Sequence, residues 1–97
     1  MNLSQEARAL GLDGALAALL ALLRAEAERH GDRPGSPGWT RESVWDHAEH
    51  LASHAARVVA EPHRLDPDSG RPEALHVAAR ALFICAKGRD NGQSSMG

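Results

Sequence analysis

The chain has 97 residues, 42% hydrophobic and 25% charged, with a formal net charge of −2 when its six histidines are counted neutral. That length allows one domain with a small private core. Eleven basic residues against thirteen acidic ones, with the arginines scattered, exclude the electrostatic footprint of a duplex nucleic-acid binder. Aromatics are only 3% (Trp39, Trp45 and Phe83, with no tyrosine), which argues against a β-sandwich or barrel. Alanine and leucine dominate and favour helix, so the expected fold class is all-α. The lone Cys85 excludes an internal disulfide and a cysteine zinc site. It lies in the apolar run Ala81–Ala86 and reads as a buried small hydrophobe in a reducing, cytoplasmic setting. Ala15–Leu23 is too short to span a bilayer and follows acidic Glu6 and Asp13, so neither a membrane partner nor a signal segment is expected.

In chain order, Ser4 is the expected cap of a short helix that Gly11 and Gly14 interrupt. Asp13 is the expected cap of the first main helix, Gly14–Arg29, whose Leu16, Leu19, Leu20, Leu23 and Ala27 follow helical spacing. Ala17, Ala18, Ala21 and Leu22 make its other side apolar as well, which predicts burial on several sides and a homo-oligomer. Gly31 stops this helix. The stretch 31–39 is a Gly/Pro loop, and a second main helix is expected from about Arg41 to Ala60, ended by Pro62. A turn follows over Leu65–Arg71. Pro72 opens a third main helix to about Lys87, with Leu75, Ala78, Ala79, Leu82, Phe83 and Ala86 inward and Gly88 as its stop. The expected organisation is therefore a three-helix bundle over residues 1–88, completed by oligomerisation, with a flexible tail over residues 89–97.

Five of the six histidines fall between Trp45 and His76. His50 and His54, four apart, share a helix face, with Asp46 and His47 one turn before and Glu49 beside that stripe. Glu73 and His76, three apart, point the same way, as ligands do in metal-binding helical bundles. The turn Asp66-Pro-Asp68 adds a carboxylate. Such a mixed set suits Mn²⁺, Zn²⁺, Co²⁺ or Fe²⁺, and Mg²⁺ where carboxylates and water dominate. The competing structural reading is a solvated polar face, with Glu73 simply complementing a helix dipole and the two tryptophans acting as packing anchors.

From about Leu12 to Phe83 the chain resembles the small phage and bacterial dATP/dGTP diphosphohydrolase-type domain, compared with the all-α NTP pyrophosphatases (MazG-like). The resemblance is carried by Arg29-His30-Gly31 with Trp39, by Glu49-His50-Leu51 with His54, by Asp66-Pro-Asp-Ser-Gly70, and by Leu75-His-Val-Ala-Ala-Arg-Ala-Leu-Phe-Ile84. The chain departs from the family pattern where Arg29-His30 replaces Lys-Tyr, Glu49 replaces Arg, Glu73 replaces His and Arg80 replaces Asn. The resemblance implies a metal-dependent enzyme that releases pyrophosphate from purine deoxynucleoside triphosphates. With helical spacing, it assigns His50, His54, Asp66, Glu73 and His76 to a divalent metal, foremost Mg²⁺ or Mn²⁺. Glu49 is the candidate catalytic base, Arg29 and Arg80 are candidate phosphate contacts, and Trp39 is a candidate stacking surface for the base. The alternatives are a non-catalytic protein that binds a nucleotide or signalling molecule, and a structural bundle with incidental histidines.

Overall fold

The computed structural model describes the backbone from Asn2 to Met96 and side chains as far as Arg89. It is all-α among the described residues: α1 (Leu3–Ala9), α2 (Asp13–Arg29), α3 (Val44–Ala60) and α4 (Glu73–Met96), with a 3-10 turn at Gly38–Arg41 before α3. The short first helix is thus a separate fourth element beside the three main ones. None of these helices is long and apolar enough to cross a membrane.

The helix ends follow local chemistry. Asn2, rather than Ser4, caps α1. Its side chain accepts from the Gln5 N–H at 2.9 Å while Gln5 Oε1 accepts from the Asn2 N–H at 2.8 Å, a reciprocal capping box. Asp13 is the first residue of α2, where its charge complements the helix dipole, and Leu12 occupies the cap without a side-chain bond. At the other end Gly31 takes φ +68°. Its N–H bonds the Glu28 carbonyl and the Asp32 N–H bonds the Ala27 carbonyl, closing α2 as the sequence predicts. The second main helix starts at Val44 instead of Arg41. Glu42 and Ser43 are extended, and Ser43 Oγ accepts from the Asp46 N–H at 3.0 Å. Backbone α4 continues past Lys87 and Gly88 to Met96, so those residues do not end it. Side chains 90–96 and Gly97 lie outside the described residues, and with them the expected mobility of the tail.

α3 and α4 form the principal packed pair; α2 and the 3-10 turn both lie against α4. Among the described residues, the three side chains with under 2% exposure are Leu22, His47 and Glu73. Two of these three are ionisable, which an interior built for packing alone rarely tolerates. The buried apolar residues are Ala7, Leu22 and Ala79. Leu75, Phe83 and Ala86 are half-buried, while Ala78 and Leu82, expected inward, are exposed. Cys85 is also exposed, contrary to the apolar-run reading, because its run lies on a helix that α3, α2 and the turn cover on part of its circumference. Trp45 anchors nothing, being 72% exposed. Trp39 does pack, stacking on Phe83 with ring centroids 5.1 Å apart and planes within 2°. Leu12 at the cap of α2 and Leu16 and Leu20 within it, spaced four apart, remain exposed within the single chain.

Candidate metal centre

The turn before α4 is built around Asp66. Its Oδ1 accepts from the Asp68 and Ser69 N–H groups, each at 2.9 Å, as Asp does when it replaces a backbone turn. Its own carbonyl accepts from the Gly70 N–H at 2.8 Å, with Gly70 at φ +70°. The Glu73 N–H bonds the Arg64 carbonyl at 2.9 Å, which ties the first residue of α4 to the start of this turn. Asp66 is therefore held by backbone bonds, and its second oxygen, Oδ2, lies 3.9 Å from His54 Nδ1.

His54, Asp66 and Glu73 each offer one ligand atom, and these atoms all lie within 4.8 Å of one another. His54 Nδ1 is 2.7 Å from Glu73 Oε1. The proton between these two atoms is the one a bound cation would replace. Glu73 Oε2 is buried without a hydrogen-bond partner. Arg57 Nη1 lies 3.4 Å from that oxygen but outside hydrogen-bonding geometry. The Arg57 charge offsets part of the cost of burying this oxygen, which still lacks a hydrogen bond worth about 1–3 kcal/mol, so a bound cation would satisfy it further. One imidazole and two carboxylates are a donor set that fits Mn²⁺, Zn²⁺, Fe²⁺ or Co²⁺, and Mg²⁺ with additional waters.

His76 sits beside this group. Its ring stacks on that of His54 at 4.7 Å, and its Nε2 is 2.7 Å from Ser69 Oγ and 4.0 Å from Asp66 Oδ1. Ser69 thus fixes the imidazole while accepting from the Arg71 N–H at 3.2 Å. His50 is exposed and stays outside the ligand group, although it lines the adjoining cleft. Helix geometry explains this: His47 and His54, seven apart, are nearly eclipsed on the inward face, and His50 sits on its shoulder. Glu49 is exposed and does not line the cleft.

The cleft has a volume of about 990 Å³ and draws its walls from α2, the 3-10 turn, α3, the Asp66 turn and α4. Arg29, Trp39 and Arg80 all line it. Two of them are already engaged. Arg29 Nη2 pairs with Glu26 at 2.6 Å, which raises the guanidinium's pKa. Arg80 Nη1 contacts Glu42 at 3.2 Å and donates to His47 Nδ1 at 2.8 Å. His47 Nε2–H in turn donates to the Trp39 carbonyl at 2.9 Å. The two bonds assign His47 the neutral Nε2–H tautomer, linking the Trp39 backbone to Arg80. Asp32 reinforces the loop: its Oδ2 accepts from the Gly38 N–H at 2.9 Å, and a Cβ on Gly38 would meet Oδ1 at 2.9 Å. Sequence reasoning missed Arg57 and Arg64, which also line the cleft, and it missed the bridging role of His47. A signal for Arg57 was present in its placement three residues after His54 on one helix face.

Two of these groups have shifted pKa values with a joint consequence for stability. Burial holds the His76 pKa below its ordinary 6.5, against the opposing pull of Asp66. For Asp66, burial pushes upward, but the Ser69 and Asp68 N–H bonds and the nearby His76 and His54 hold its pKa below 3.8. Both depressed values mean that the folded chain binds fewer protons than the unfolded one. The stability they contribute is full above about pH 6.5, declines first through His76 as pH falls, and declines again through Asp66 below about pH 4. Melting temperatures measured from pH 8 to pH 3 are expected to fall in this order. His76→Gln is expected to flatten the first decline, and an unchanged profile in that variant would contradict the assignment.

Comparison with known proteins finds no matching family model, no matching curated protein and no matching solved structure.

Proposed function

We propose that the chain is a divalent-metal-dependent nucleotide pyrophosphohydrolase acting on purine deoxynucleoside triphosphates. The observation that carries this reading is the convergence of His54, Asp66 and the buried Glu73, whose Oε2 makes no hydrogen bond, beside a cleft that also holds cationic and aromatic side chains. In the reaction, a water oxygen bonds to the α-phosphorus and the bond from that phosphorus to the bridging β-phosphate oxygen breaks. Nucleoside monophosphate and pyrophosphate leave, and the water proton passes to solvent. A divalent ion, Mg²⁺ or Mn²⁺ before Zn²⁺, Co²⁺ or Fe²⁺, supplies charge neutralisation and water activation when bound. His54, Asp66 and Glu73 would hold it, and His76 is oriented by Ser69 beside this group. Trp39, backed by Phe83, offers a flat wall against which a base stacks. Arg29 and Arg80 add positive charge along the cleft. Most of the rate enhancement in such a site comes from positioning and electrostatics. Self-association belongs to the same reading, because the Leu12, Leu16 and Leu20 face is apolar and uncovered within one chain.

A second reading is favoured by one observation: Glu49, the candidate base, stands outside the cleft. The same site would then bind a nucleotide without turning it over. Incubation with Mn²⁺ or Mg²⁺ and each deoxynucleoside triphosphate decides between them. Pyrophosphate release supports the enzyme. Calorimetric binding without release supports the binding protein, and neither binding nor release removes both.

A further inference from the structure

We infer that Arg57 is a phosphate-binding residue which a divalent cation releases from the carboxylate it faces, so that metal occupancy prepares the cleft for a polyphosphate. This rests on the metal reading above. Arg57 Nη1 lies 3.4 Å from His54 Nδ1 and 3.4 Å from Glu73 Oε2. These atoms belong to two of the three side chains that compose the ligand group. A guanidinium and a dication cannot share them, because like charges at such a distance repel in a partly desolvated site. The guanidinium is held there only loosely: its hydrogen-bond contact, to His54 Nδ1, is long at 3.4 Å, and its approach to Glu73 Oε2 falls outside hydrogen-bonding geometry. The Arg57 side chain is 42% exposed and lines the cleft, so it has a route from the carboxylate into the ligand space. Arg29 and Arg80 are more tightly committed, to Glu26 at 2.6 Å and to His47 at 2.8 Å. Once a cation neutralises Glu73, Arg57, which already contacts two of the ligand side chains, is placed to present its planar fork to phosphate oxygens.

This arrangement gives Arg57 effects of opposite sign on two ligands: it competes with the metal alone and supports an anion on the metal-loaded protein. The test is a calorimetric titration of the full chain, Arg57→Gln and Arg57→Lys, first with Mn²⁺ alone and then with inorganic tripolyphosphate at saturating Mn²⁺. Arg57→Gln is expected to bind Mn²⁺ about fivefold to tenfold more tightly, because its competitor is gone. It is expected to bind tripolyphosphate about tenfold or more weakly, the loss of a charge-assisted contact. Arg57→Lys keeps the competing charge and should match the unmodified chain toward Mn²⁺ more closely than Arg57→Gln does. Mn²⁺ affinity unchanged or weakened in Arg57→Gln, or tripolyphosphate affinity unchanged, overturns the inference while the unmodified chain's Mn²⁺ binding leaves the metal reading intact. No Mn²⁺ binding by the unmodified chain overturns both.

Discussion

Glu73→Gln is expected to remove about half or more of the thermal stabilisation that Mn²⁺ gives the chain while leaving the metal-free protein at least as stable. The side chain is fully buried, and one of its oxygens has no hydrogen-bond partner. An amide keeps a polar contact with His54, 2.7 Å away, and removes a charge from the interior. Arg57, nearly half exposed, can return to water, so the large penalty for a stranded buried partner does not arise. The loss toward metal is severe. Altering groups that merely orient ligands costs about 10–100-fold in affinity, and removing a direct ligand should cost at least as much. At a metal concentration about a hundredfold above the dissociation constant, binding stabilises the native chain by about 2.7 kcal/mol. For a domain of this size that corresponds to a melting shift of roughly 10–20 °C. Differential scanning fluorimetry with and without Mn²⁺ reads both effects. A variant that keeps the full metal-induced shift would remove Glu73 from the ligand set.

The second large effect is expected at His47. Its imidazole is fully buried, donates to the Trp39 carbonyl, accepts from Arg80, and tilts against Phe83 at a centroid distance of 5.2 Å. His47→Ala opens a cavity and leaves the Trp39 carbonyl and the Arg80 donor without this partner. Each consequence costs on the order of 1–3 kcal/mol. A combined loss of about 3 kcal/mol lowers the melting temperature by roughly 10–20 °C in a domain of this size. Urea unfolding provides the magnitude. Trp39 fluorescence should shift to the red as the 3-10 turn loosens from α4. A loss below about 1 kcal/mol, or an unchanged Trp39 signal, would show that the turn is held by its other ties, Arg80 to Glu42 and Lys87 to the Thr40 carbonyl.

The helical class, the placement of the three main helices and the Gly31 stop were legible because they rest on short-range chemistry. Alanine and leucine favour helix, glycine accepts a positive φ, and proline and serine punctuate helix starts. The pairing of Glu73 with His54 followed from less. Helical spacing could put His50 and His54 on one stripe of α3, and Glu73 and His76 on one stripe of α4, but spacing within a helix does not say which stripe faces which. The α3–α4 packing selected His54 over His50 because the inward direction of α3 is set by His47 and His54, almost two turns apart. Glu49 falls outside the cleft for the same reason. The alternation of alanine and leucine on α4 misled for Leu82 and Cys85, since a helix covered on only part of its circumference leaves apolar residues in water.

Composition and local capping alone therefore determined an all-α chain with three main helices and an Asp-rich turn before the last. Only the tertiary structure decided that an arginine and a buried glutamate face each other, that one histidine bridges Trp39 to Arg80, and which imidazoles meet carboxylates. The reason is physical: backbone hydrogen bonds and turn conformations act over a few residues. Burial, by contrast, depends on how the helices rotate against one another, and in this chain the register of α4 against α3 and the segment before it is marked by long-range polar contacts, from Glu73 to His54 and from Arg80 to Glu42 and His47.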